Sequence, residues 1–231
     1  MNPLVLIHGA LGCGAQLEAL KSELAALTDR EIWIYNCPGH GKDSSNIPEN
    51  GFEMGELAIN FGKFLRKNNL LGADIFGYSM GGYIALLAVR NHPERIRHIL
   101  TLGTKFHWAA ESAKAEVSQI IPEKIREKVP KFATYLESLH GGNWENVLRA
   151  TAKLMHKLGD NPLLDDYTAN FIQHPVVLAR GSRDVMVSAE ETQTMATSLT
   201  DATYEEIEGW PHPIQLLPTE ELAAYILKKL G

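Results

Sequence analysis

The sequence predicts an α/β fold, a doubly wound and mostly parallel sheet of about six strands, from three observations. Short apolar runs rich in Val and Ile recur along the chain, and longer segments with apolar residues at three- and four-residue spacing separate them. With 45% hydrophobic residues in 231, and no linker, repeat or low-complexity tract, the chain can bury one sizeable core. The expected organisation is a single domain over 1–231.

The strands are expected at residues 3–7 (PLVLI), 31–36 (EIWIYN), 73–77 (ADIFG), 97–102 (RHILTL), 175–180 (PVVLAR) and 203–208 (TYEEIE), the last two being weakest in pattern. Crossover helices are expected over 15–27, 53–69, 80–91, 189–199 and 219–230. The interval 105–172 is far longer than a crossover needs. Its helical patterns break at Pro122, Pro130, Gly141-Gly142 and Gly159, which predicts a helical cap inserted over one end of the sheet.

A net charge of −6 offers no field for a phosphate backbone, so nucleic acid is not an expected partner. No apolar stretch approaches a membrane span and no signal segment is visible, which predicts a cytoplasmic protein without a membrane partner. Cys13 and Cys37 match no metal spacing and read as small buried residues. No His-Glu-x-x-His or clustered ligand set occurs, and no metal or organic cofactor is expected.

In open parallel sheets, useful side chains sit where strands end. Gly77-Tyr78-Ser79-Met80-Gly81 closes the third expected strand and opens a helix, the context in which a serine sits on a sharp strand-to-helix turn as a nucleophile. Glycines two residues to either side leave room for that turn, and the following helix points its positive end at the site. Read alone, the pentapeptide is also compatible with a simple turn serine. A nucleophile needs a base and an orienting acid as well.

Of nine histidines, His98 and His174 fall at strand starts, and His92 and His156 fall at or within helices. His8, His40 and His212 are the ones at strand ends or in the loops after them. Pro211 and Pro213 stiffen the backbone around His212, which suits a base. Asp184 follows the fifth expected strand, ahead of the N-cap-like Ser188, and is the candidate to hold the His212 imidazole. For an oxyanion hole, the Met80 N–H is the first donor, and the N–H of Ala10, or less favourably Leu11, is the second.

These residues resemble the α/β-hydrolase superfamily over nearly the whole chain: His8-Gly9, Pro38-Gly39-His40-Gly41, the turn around Ser79, Asp184, and His212, in the family's Ser…Asp…His order. The resemblance implies structural roles for His8 and His40 and a cap at 105–172. The family's N-terminal strand pair has no counterpart here, and Trp210 stands where members often carry a small residue, which would narrow the site. The function implied is a carboxylesterase-like serine hydrolase acting on a small, hydrophobic ester-like substrate through an acyl-serine. Leu11, Tyr78, Lys105, His107, Trp108 and Trp210 are candidate substrate contacts. Lys105 and His107 could meet a substrate carboxylate or line a solvated hinge, and the apolar cap residues read first as packing.

Three readings compete. Gly9, Gly12 and Gly14 make G-x-x-G-x-G rather than the dinucleotide spacing, and Tyr225 and Lys229 form a Y-x-x-x-K without its usual context, so an oxidoreductase is disfavoured. A receptor that binds without turnover is a second. A lyase, C–C hydrolase, acyltransferase or cofactor-free peroxidase of the same fold is the third.

Overall fold

The structure, a computed structural model, describes all 231 residues. Six strands, β1 (Leu4–Ile7), β2 (Ile32–Tyr35), β3 (Ala73–Tyr78), β4 (Ile96–Leu102), β5 (Val176–Arg183) and β6 (Ala202–Pro211), form one parallel sheet in the order β2-β1-β3-β4-β5-β6. The weak patterns of the last two strands have different causes. β6 is an edge strand that is half exposed, whereas β5 runs on through Gly181-Ser182-Arg183 past a register shift against Pro211.

The connecting helices are α1 (Glu18–Leu27), α2 (Met54–Lys67), α3 (Met80–Asn91), α4 (Ala110–Gln119), α5 (Pro122–Lys128), α6 (Pro130–His140), α7 (Trp144–Asp160), α8 (Asp166–Ala169), α9 (Ala189–Ser198) and α10 (Thr219–Leu230). Strand alternation sorts them into two layers. Leu4 and Leu6 pack with Leu20 and Leu24 of α1 and Leu222 and Ile226 of α10, while Val5, Ile7 and Ile75 pack with Leu57 and Phe61 of α2, Ile84 of α3 and Met195 of α9. At the sheet's amino end, buried Asp74 pairs with Arg30 and Arg97, and Arg30 also donates to the Leu230 carbonyl at 2.7 Å, tying α10 to the sheet.

Helices α4 to α8 all lie between β4 and β5. Pro122 and Pro130 start helices, where a missing N–H costs nothing, and Gly141 ends α6 with φ of 60°. Gly159 breaks nothing, contrary to expectation. It lies inside α7, where a Cβ would sit 2.6 Å from the Ala113 Cβ, so it permits close approach of α4. One face of α7 (Val147, Leu154, Leu158) joins the main core, and Trp144 and Leu148 join a smaller cluster with Ile125 and Leu136. Helix α7 therefore shares the sheet's core and links it to the smaller cluster of α5 and α6.

No helix is long and apolar enough to cross a membrane. Cys13 and Cys37 are buried and unpaired, and no three His, Cys, Asp or Glu side chains are placed to hold a metal ion.

Candidate active site

The chain crosses from β2 over β1 to β3, so strand order reverses between β1 and β3, and a crevice opens at their carboxyl ends. β1 and β3 run in register with Ile7 beside Gly77, which brings the Gly9–Gly12 turn next to Ser79. A cavity of about 650 Å³ lies here, lined by Ala10, Leu11, Tyr78, Ser79, Met80 and His212, with Trp108, Tyr135, Met155 and Met186 among its other walls. Of its 25 lining residues, 17 are hydrophobic, so its preferred content is apolar.

Ser79 has φ 51° and ψ −117°, a conformation a side chain rarely adopts, costing on the order of 1–3 kcal/mol. The surroundings hold it: its N–H donates to the Leu102 carbonyl at 2.8 Å, and its carbonyl accepts from Thr104 Oγ1 at 2.9 Å and Gly82 N–H at 3.0 Å. The glycines leave room where side chains would collide. A Cβ on Gly77 would lie 2.5 Å from Gly82, and one on Gly81 would strike the Ile7 carbonyl. The N–H groups of Met80 and Ala10 make no hydrogen bond within the protein and are available to a ligand oxygen.

Asp184 and His212 arrive from neighbouring strand ends, with Nδ1 of His212 2.7 Å from Oδ2 of Asp184. The other carboxylate oxygen, Oδ1, accepts the N–H groups of Met186 (2.8 Å) and Val187 (2.9 Å). Burial alone would raise the Asp184 pKa, but the hydrogen bond and charge of His212, with the two backbone N–H donors, outweigh it and hold the pKa below its ordinary value. An ionised carboxylate only accepts, so in the neutral imidazole the proton sits on Nδ1 and the lone pair is on Nε2. Ser79 Oγ makes no hydrogen bond to Nε2 here, although both residues face the same cavity. Such contacts commonly tighten only with substrate bound.

Several supporting residues carried no signal in the sequence. Arg180, 7% exposed, donates to the carbonyls of Asp184 (2.8 Å) and Val187 (3.1 Å) and so clamps the acid's loop. Thr104 holds the serine turn, and the Gln16 amide donates to the Tyr135 hydroxyl at 2.6 Å across the cavity wall. Val185 and Met186 line the mouth with exposed apolar surface.

The expected substrate contacts divide. Leu11, Tyr78, Lys105 and Trp108 line the cavity, but the Tyr78 hydroxyl is spent on the His212 carbonyl at 2.9 Å. Lys105 is held by Glu116 (3.5 Å) and Glu191 (3.9 Å), so it is not a free cation for a substrate carboxylate. His107 lies outside the cavity: its backbone N–H binds Glu191, and it lines a separate, polar cavity of about 470 Å³. Trp210 does not narrow the site either. Glu205 and Ile207 of β6 face α10, and the irregularity at Gly209, with φ 79° and a register shift against β5, brings Trp210 onto that same layer, where its ring meets Tyr225 with centroids 5.7 Å apart.

The remaining histidines have other partners. His8 Nε2 accepts the Cys37 N–H at 3.0 Å, His40 stacks on Phe52, His98 sits beside Asp74, and His174 donates to the Pro93 carbonyl. Tyr225 and Lys229 both bind Glu205 and form no nucleotide site.

Residues 2–157 match the family model of the alpha/beta hydrolase fold, and the chain belongs to that family. Among solved structures, it is similar to the esterase EaEST from Exiguobacterium antarcticum, with TM-score 0.77 and 16% identity over 99% of this chain and 91% of that one. By sequence it is 27% identical over 93 residues to ethanol acetyltransferase 1 of Kluyveromyces lactis, covering 40% of this chain but 24% of that protein. It is 23% identical over 216 residues to a probable alcohol acetyltransferase of Saccharomyces cerevisiae, covering 90% of this chain and 58% of that protein.

Proposed function

We propose that the protein is a serine hydrolase that cleaves a small, hydrophobic carboxylic ester through an acyl-serine intermediate. The observation that carries this reading is the 2.7 Å Asp184–His212 hydrogen bond opening onto the same apolar cavity as the strained Ser79. His212 Nε2 takes the hydroxyl proton as Ser79 Oγ attacks the ester carbonyl, and the N–H groups of Met80 and Ala10 hold the oxyanion. The C–O bond to the alcohol breaks as His212 hands that proton to the departing oxygen. Water then attacks the acyl-serine, His212 accepts its proton, and the carboxylic acid leaves as the proton returns to Ser79.

An aryl phosphonate tests the assignment. Wild type is expected to gain one phosphonyl group, located on Ser79 by peptide mass spectrometry, while Ser79→Ala gains none. Stoichiometric labelling elsewhere, or none in an enzyme that turns over esters, would sink the reading.

Acyl transfer to an alcohol is the second reading, favoured by the likeness to an alcohol acetyltransferase over 90% of the chain. The same acyl-serine would be attacked by an alcohol, His212 taking the alcohol's proton in place of water's. With an aryl acetate and added ethanol, an acyltransferase yields ethyl acetate at the expense of acetate. A hydrolase yields acetate throughout.

A further inference from the structure

We infer that His140, on the cap helix α6, is a positioning residue for the oxyanion loop, so that seating of the cap and assembly of the oxyanion hole are one event. This rests on the assignment of Ala10 N–H as an oxyanion donor.

The loop is a tight turn, closed by the Gly12 N–H on the Gly9 carbonyl at 3.2 Å, with Ala10 and Leu11 at its centre. Leu11 has φ 60°, a left-handed conformation that any Cβ disfavours. Relaxing Leu11 to negative φ would turn the peptide units on either side of it and, because the turn is closed at Gly9, shift Ala10 and its N–H with them. One bond from outside the turn opposes that relaxation, since the Leu11 carbonyl, in the peptide between Leu11 and Gly12, accepts from His140 Nε2 at 2.9 Å. The donor is fixed chemically: Nδ1 of His140 accepts the Gly41 N–H at 2.9 Å, so it carries no proton and Nε2 must.

His140 is itself immobilised. It is 3% exposed, and Ser44 Oγ donates to its carbonyl at 2.8 Å. Five residues earlier on α6, Tyr135 accepts from Gln16, which lies in the single 3-10 turn (Gly14–Leu17) that follows the oxyanion loop. Helix α6 therefore holds the loop at Leu11 and the 3-10 turn that follows it at Gln16.

The test uses an aryl ester whose turnover Ser79→Ala abolishes, so that failure of the hydrolase reading is seen separately. In His140→Phe, kcat is expected to fall by roughly 10- to 100-fold, less than removal of a donor outright, with KM changed by less than about threefold. Phosphonylation of Ser79, whose adduct uses the same donors, should slow by a similar factor. His140→Gln, with an amide that can donate to Leu11 and accept from Gly41, should return kcat to within about threefold of wild type. If the phenylalanine variant does not fold, His140→Met, which also lacks the donor, takes its place. Wild-type kcat in a folded Phe or Met variant, a change confined to KM or Tm, or a Gln variant as slow as Phe overturns the inference.

Discussion

Turnover of a small aryl ester falls by roughly 10⁴- to 10⁶-fold in Ser79→Ala, His212→Ala costs a comparable factor, and the double variant is no slower than the worse single one. The non-additivity follows from the proton's path. Without Nε2 the Ser79 hydroxyl keeps its proton at neutral pH, and without Oγ the base has nothing to activate. KM should move little, because most of the apolar wall is untouched by either change. Asp184→Asn is expected to lose roughly 10⁴-fold by a different route. Met186 and Val187 N–H groups already claim one oxygen of residue 184, so the amide oxygen of an asparagine would stay with them. Its NH₂ would then face His212 Nδ1, forcing the imidazole proton onto Nε2, the atom that must accept. Steady-state kinetics on the four variants decide the matter. Multiplicative losses in the double variant, or near-normal rates in Asp184→Asn, would contradict a single proton-transfer unit.

The parts of this arrangement that local chemistry dictates could be read from the residues. A sheet covered on both faces shows as apolar runs, and a serine turn that a Cβ would jam shows as Gly77 and Gly81 around Ser79. Asp184 and His212 lie at strand ends, which follow from the same runs. Side-chain direction was harder. Trp210 stands two residues before His212 and reads as a site residue, yet the register shift around Gly209 turns its ring under α10, and His212 lies past the end of β6.

Partners distant in sequence were not legible at all. Lys105 reads as a residue that could meet a substrate carboxylate or line a solvated hinge, because Glu116 and Glu191 meet it only after α4 and α9 pack. Arg180 looked like the end of an apolar strand, and its function as a clamp depends on the return of the chain at Asp184 and Val187. His140 carries no motif: it meets Leu11 from 129 residues away and Gly41 from 99. Gly159 read as a break because glycine is a poor helix former, but close approach of α4 outweighs propensity there.

The same loops predict how the fold fails in acid. Three buried histidines stand behind the Gly9–Gly12 turn, with ring centroids 5.2 Å apart for His8–His40 and 6.2 Å for His40–His140. Each is held neutral. His8 accepts the Cys37 N–H, His140 accepts the Gly41 N–H, and His40, whose Nδ1 lies 3.0 Å from the Pro38 carbonyl, has a buried Nε2 with no partner. Burial drives the His8 pKa down to about 4 and, helped by His8, the His40 pKa down to about 3, and it lowers that of His140 as well. Because these values lie below the ordinary 6.5, the unfolded chain binds the protons first. Stability is therefore complete above pH 6.5 and is lost as pH falls toward 4. His8 and His40 both take up protons in that window only at a cost in folded stability, so the loss deepens steadily with each step of pH below 6.5. Asp184, whose pKa is lowered, gives up its share only as pH falls below the ordinary carboxylate range, so a decline that begins near pH 6 belongs to the histidines. Calorimetric Tm values from pH 7 to 4 measure it. His8→Gln, which cannot titrate, should flatten the slope between pH 6 and 4.5 even if it lowers Tm throughout. A wild-type Tm that is level down to pH 4.5 would show that these imidazoles are not held neutral by the fold.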